Sequence, residues 1–315
     1  IDNKFSTNSN GIYCFSGDSN AFVSNTVCSN GIYGIWLSNS KDNIFSDNIV
    51  SNDNVGIWLS SSKNNVVRDN SIFLNNQYGI RLEYYSDKNT LTKNNILNND
   101  FGIFLDNSVG NAIFHNNFSN NTRQVSSIDS PNMWDDGYPS GGNYWSDNPY
   151  NDTSSGPHQN VTGSDGIGDI SYVIDEGNRD KYPLMGAFSD FDATSEYQVT
   201  TICNSSISAF DFDEANNLFR FNVTGKDETL GFCRICIPTV LMNDTYTVFV
   251  NGTEVPYTLL PCSNSTHSYL YFTYNHSTQE VIIIPEFPTW TLMLLPFIVL
   301  TIVIAIYKRR LFCCS

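Results

Sequence analysis

The sequence predicts an all-β chain. It reads as a parallel β-helix over residues 1–121, a Gly/Asp-rich closing module over 122–190, an immunoglobulin-like β-sandwich over 191–284 and one transmembrane helix within 289–310. Three observations predict this. A Gly-Ile pair recurs at Gly11, Gly34, Gly56, Gly79 and Gly102, at spacings of 23, 22, 23 and 23 residues. Later segments alternate apolar and polar residues over short stretches. An uncharged apolar run near the C-terminus ends at Lys308-Arg309-Arg310.

The repeat defines the first element. Residues 1–121 hold 27 asparagines, and within each unit they fall about every fifth position. The triplets read Asn20/Asn25/Asn30, Asn43/Asn48/Asn52, Asn65/Asn70/Asn75, Asn89/Asn94/Asn99 and Asn111/Asn116/Asn121. Apolar residues follow the first asparagine by two (Phe22, Phe45, Val67, Leu91, Ile113) and the second by two (Val27, Val50, Ile72, Ile96, Phe118). A third apolar pair sits beside the glycine, as in Ile35 and Leu37. Each unit thus reads as three short strands with inward apolar side chains, joined by corners where Asn adopts the left-handed conformation or bonds its own backbone. One unit cannot bury its apolar face, but stacked units share a core. Leucine-rich repeats have the same period but need more leucines and a helix-forming half that this chain lacks.

These units, of the form N-x-I-x-x-N-x-I-x-x-N…G-I-x-L, resemble NosD-type right-handed β-helices of the carbohydrate-binding and sugar-hydrolase group; the right hand is what the resemblance implies. It extends to about residue 188. Gly142-Asn143-Tyr144-Trp145-Ser146-Asp147, Asp165-Gly166-Ile167-Gly168-Asp169, Tyr172-Val173-Ile174-Asp175 and Tyr182-Pro183-Leu184 are similar to the closing module of archaeal and bacterial members. Pro285-Glu286-Phe287-Pro288 resembles a C-terminal sorting signal of archaeal surface proteins, over 285–288.

Stacked coils convert sequence offsets into surface columns. Tyr13, Trp36, Trp58, Arg81 and Phe104 alternate with inward residues and point outward. An aromatic column of this kind marks an interaction surface, and the faces of aromatic rings suit sugars, so these five are the expected carbohydrate-binding residues. A covering loop or domain is the competing reading. A second column, Asp47, Asp69, Lys93 and His115, offers acid and base groups for a polysaccharide lyase or glycoside hydrolase. The plainer reading is a polar face with Asp69 and Lys93 paired across coils and no carboxylate raised by burial.

Asp165 and Asp169 are the candidate calcium ligands, with Asp135, Asp136, Asp147 and Asp175 as further carboxylates, although a glycine-rich turn closing the helix explains the motif as well. No other cofactor is expected. The four His (His115, His158, His267, His276) and four Met (Met133, Met185, Met242, Met293) show no ligand spacing, which disfavours the copper role that the resemblance implies.

In 195–284, YQVTTI, LFRFNVTG, GFCRICIP, YTVFVNGTEV, SYLYFTYN and EVIII read as strands, with a hairpin at Asn251-Gly252. Cys203, Cys233, Cys236 and Cys262 allow two disulfides in three pairings; Cys233 and Cys236 fall on opposite faces of their strand. Cys14 occupies an inward leucine position.

Between Trp290 and Tyr307 the apolar run is long enough to span most of a bilayer. The basic stop keeps residues 311–315, with Cys313 and Cys314, inside and the bulk of the chain outside. Opening at Ile1 within the repeat pattern, the chain reads as truncated or processed. Ten N-x-[ST] sequons, at Asn117, Asn120, Asn151, Asn160, Asn204, Asn222, Asn243, Asn251, Asn264 and Asn275, agree with an exterior glycoprotein.

The chain carries 16 basic and 32 acidic residues, for a net charge of −16, which argues against nucleic acid as partner. Residues 1–121 contribute −3, 122–288 contribute −16 and 289–315 contribute +3. The expectation is a membrane-anchored surface protein, noncatalytic, with polysaccharide or envelope glycans and the membrane as partners.

Overall fold

The computed structural model describes residues 1–286 except 150, 243 and 244. The sorting-signal segment beyond Glu286, the transmembrane run, Cys313, Cys314 and the sequon at Asn243 lie outside the described residues. Among those described, no helix is long and apolar enough to cross a membrane.

Three parallel sheets run along a right-handed β-helix. The broad sheet stacks the six-residue strands Asn10–Phe15, Tyr33–Ser38, Val55–Ser60, Tyr78–Glu83, Phe101–Asp106 and Arg123–Ile128. Two narrow sheets are built from strands of two or three residues, one beginning at Lys4–Ser6 and ending at Tyr144–Trp145, the other running from Ala21–Val23 to Ala112–Phe114. The inward columns named above form one core: Leu37, Phe45, Val50, Ile57, Leu82, Ile96 and Phe118 are all fully buried. Cys14 packs at its edge, only partly buried.

The corners differ from expectation in one respect. The left-handed residue is the one before each ladder asparagine: Ser24, Asp47, Asp69, Lys93 and His115 have φ of 56–59°. This releases the asparagine side chain to point inward and bond the next coil. Along the corner Asn25, Asn48, Asn70, Asn94, Asn116 and Asn143, each amide Nδ2 donates to the next Oδ1 at 2.8–3.0 Å. In a second corner the ladder member is Asp53, not Asn52. Asn30 N donates to Asp53 Oδ1 at 2.6 Å and Asp53 N to Asn75 Oδ1 at 3.1 Å. Asn52 is the left-handed residue beside it, with φ 57°. A serine ladder (Ser40, Ser62, Ser86, Ser108, Ser130), invisible to asparagine counting, lines the third corner.

The closing module plugs the C-terminal end of the core. Trp145, 1% exposed, stacks on Phe118 at 4.4 Å and on Tyr172 at 4.3 Å. Its Nε1 donates to Asp180 Oδ2 at 2.9 Å; Asn143 N and Tyr182 N donate to the same carboxyl. Burial pushes Asp180 up to about 7. Beyond it, Ala187–Asp192 opens a pair of five-stranded antiparallel sheets that share a core of Val199, Phe219, Phe221, Cys233, Ile235, Phe272 and Ile283. The all-β expectation stands, but the strand order is not that of an immunoglobulin domain. Gln198–Cys203 and Leu230–Pro238 are neighbours in one sheet, whereas Ser206–Asp213 and Leu218–Thr224 lie in the other beside Thr278–Pro285. Alternation along each strand specifies which face is buried; it carries no information on which strands pair.

Candidate functional site

The broad sheet aligns Tyr13, Trp36, Trp58, Arg81 and Phe104 in direct register. A second outward column, three residues earlier, aligns Tyr33, Val55, Tyr78, Phe101 and Arg123 and was missed in the sequence. The signal was present: aromatic or cationic residues occupy four of its five positions just before each Gly-Ile step or its equivalent.

The two columns interlock. Trp36 and Trp58 stack at 5.0 Å with 12° between planes, and Tyr13 lies 4.3 Å from Trp36. Tyr33 packs on both tryptophans at 5.2 and 4.8 Å. The Arg81 guanidinium lies over Trp58 at 5.0 Å, Tyr78 at 5.3 Å and Phe104 at 5.9 Å, and its Nη2 donates to Glu83 Oε1 at 2.6 Å. Arg123 covers Phe101 at 5.4 Å. Near-parallel rings at coil spacing turn their faces toward one another, so the ladder presents mainly ring edges, which carry the positive end of the aromatic quadrupole. This revises the expectation of a row of open ring faces. Tyr13 is half exposed. Trp36 Nε1, Trp58 Nε1, Arg81 Nε and Glu83 Oε2 are buried without a hydrogen-bond partner among the described residues. Unmet groups of this kind cost about 1–3 kcal/mol each. The ring and cation–π contacts described above all stay within the face.

The second predicted column lies along one corner of the β-helix. Its members are the left-handed corner residues, and the C-terminal domain docks on their far end. Phe188 stacks on His115 at 4.1 Å, and the Asn117 side chain bonds both the N–H and the carbonyl of Phe188. Lys93 is salt-bridged to Asp190, and Asp69 to Arg68, so the Asp69–Lys93 pairing across coils does not form. Burial, reinforced by Asp190, raises Asp69, contrary to expectation; burial lowers His115, whose Nε2 lies 3.0 Å from the Ser140 carbonyl. Asp47 remains exposed at the corner. No pair of free carboxylates faces a cleft here.

The aspartates of the closing module fasten loops. Asp169 accepts from Thr153 N, Thr153 Oγ1 and Ser154 N; Asp165 accepts from Ile167 N and Gly156 N. Asp152, missed in the sequence, accepts from Asp165 N and Gly166 N, and burial lifts it to about 7. Asp135, Asp136, Asp147 and Asp175 each serve other hydrogen bonds. Among the described residues no group of three or more His, Cys, Asp or Glu could hold a metal ion.

The fold and this face define a repeat-built parallel β-helix with a partly exposed aromatic ladder. Residues 1–149, a parallel β-helix, match the model of a family described as periplasmic copper-binding protein (NosD). No curated protein matches the chain. Among solved structures, a point mutant of the periplasmic alginate epimerase AlgG is 25% identical over 52% of this chain and 41% of that one, with a TM-score of 0.40. The Dettilon tailspike protein is 13% identical over 87% and 68%, at 0.35. ORF18 of Geobacillus virus E2 is 10% identical over 73% and 44%, at 0.37. The chain spans about two-fifths of the length of the alginate epimerase.

Proposed function

We propose that this is a noncatalytic, envelope-associated protein that binds polysaccharide along the broad sheet of its β-helix. The observation that carries the reading is the ladder itself: two columns of aromatic and guanidinium groups, left uncovered, with four unmet polar atoms among them. A sugar chain laid along the axis would offer oxygens to the ring edges and to Arg81 and Arg123. The engaged state of Lys93 and His115 favours binding over cleavage. The C-terminal apolar run supplies the membrane anchor, with the glycosylated bulk of the chain outside.

The test is a polysaccharide pull-down with the Trp36→Ala/Trp58→Ala double variant, which removes ladder side chains from a partly exposed surface. Capture should fall at least tenfold; unchanged capture overturns the reading. Incubation with mixed acidic polysaccharides should release neither reducing ends nor unsaturated products; release would favour the lyase or hydrolase. The anchor is tested by truncation after Glu286, which should move the protein from the membrane to the soluble fraction.

The family description names copper, and the donors present do not fit it. Residues 1–149 contain a single His and a single Met, His115 and Met133, besides Cys14 and Cys28. His115 is spent on Ser140 and Phe188, and Cys14 packs against the apolar core.

A further inference from the structure

A cavity of about 200 Å³ lies in the seam between the closing module and the C-terminal domain. Its walls include Arg234, His115, His267, Thr200, Cys236 and Tyr269, and none of its lining residues is acidic. That is unusual in a chain of net charge −16. Arg234 sits on the face of its strand opposite the buried Cys233 and Ile235, so the closing module, not the sandwich core, buries it. It is only 2% exposed.

Its guanidinium is held on two sides. Nη2 donates to the Pro139 carbonyl at 2.7 Å, and the group lies 5.1 Å from the centre of the Tyr269 ring. Nη1 is buried and has no hydrogen-bond partner among the described residues. Asp165, an acid that feels its charge, commits its oxygens to the N–H groups of Ile167 and Gly156 and to Gln159, and forms no ion pair with it among the described residues. A buried cation with an unused donor is costly unless an anion completes it. A guanidinium locked in this way is already oriented to donate to a carboxylate or phosphate.

We propose that the seam cavity binds a small ligand through an oxyanion, a carboxylate or a phosphate, received by Arg234. The cavity is separate from the aromatic ladder, so the proposal does not depend on the polysaccharide reading.

Calorimetric titration of the full chain in detergent tests it, with galacturonate and inorganic phosphate as probes and galactose as the neutral control. Saturable binding of galacturonate identifies a sugar-acid carboxylate; binding of phosphate alone identifies free phosphate. Arg234→Met should weaken either at least tenfold, whereas Trp36→Ala/Trp58→Ala should bind as the parent does. Should Arg234→Met fail to fold, Cys236 in the reduced parent protein reports on the same cavity: its maleimide alkylation should slow at least fivefold with the bound anion and stay unchanged with galactose. Absence of anion binding, equal binding by Arg234→Met, or unprotected Cys236 at saturating anion overturns the proposal.

Discussion

Asp53 is the one acidic member of its amide ladder, and replacing it by asparagine should strengthen the β-helix in a pH-dependent way. The side chain is fully buried between Asn30 and Asn75. Its Oδ2 has no partner among the described residues, where an asparagine would offer an N–H to Asn75 Oδ1. Burial lifts its carboxyl from 3.8 to about 6, against the hydrogen bonds from Asn30, which lower it. The fold therefore holds the proton more tightly than the unfolded chain does. Stability is intact below the unfolded value of 3.8 and is lost as pH rises through 6. Two units correspond to about 3 kcal/mol once the group is ionised. The new ladder bond adds about 1 kcal/mol at any pH. Urea unfolding of Asp53→Asn against the parent should thus show a gain of about 1 kcal/mol near pH 4 and about 4 kcal/mol near pH 8. An equal gain at both pH values, or a loss near pH 8, would refute the argument that desolvation of this carboxylate governs the corner.

Three further outcomes follow from the same geometry. Trp145→Ala removes the plug between Phe118 and Tyr172 and should cost about 3–5 kcal/mol in urea unfolding, a loss below about 1 kcal/mol counting against the plug. Cys203 and Cys233 stand directly opposite across antiparallel strands, at a spacing a disulfide can bridge, and Cys203 is lowered to about 7 by its hydrogen bonds to Cys233 and Tyr274. Oxidised glutathione should join these two, and a non-reducing peptide map pairing Cys203 with Cys236 or Cys262 would contradict the register. Among the sequons, Asn120 is exposed, whereas the Asn117 amide is clamped to Phe188; glycopeptide analysis of exported protein should find sugar at Asn120 and none at Asn117.

The β-helix was legible because its physics is local and repeated. Each coil restates the same inward columns, and five copies make the pattern plain. Errors arose where chemistry substitutes for identity: Asp53 occupies an asparagine position, and serines build a ladder without any amide. The left-handed corner residues were misassigned because that conformation belongs to a backbone position filled by Ser, Asp, Lys or His alike. The ladder's outward register was readable, but the mutual stacking that turns ring faces inward needed coordinates. Phe188, which stacks on His115, and Asp190, which pairs with Lys93, come from 73 and 97 positions away, and no local pattern announces them as partners. In the sequence Arg234 is one cation in an apolar strand; only the docked closing module makes it a buried charge beside a cavity.

The amide ladders also bear on how such a molecule can change its length. Every internal coil offers the same upper and lower contacts, so a duplicated coil of 22–24 residues would find its bonds ready-made on both sides. Insertion of a whole coil would raise the C-terminal domain by about 4.8 Å, and because the ladder bonds hold across coils of 22, 23 and 24 residues, single-residue differences are absorbed in the turns between ladder positions. Tandem duplication of a coil is thus an inexpensive mutation. Relatives that differ in reach should differ by integer numbers of coils.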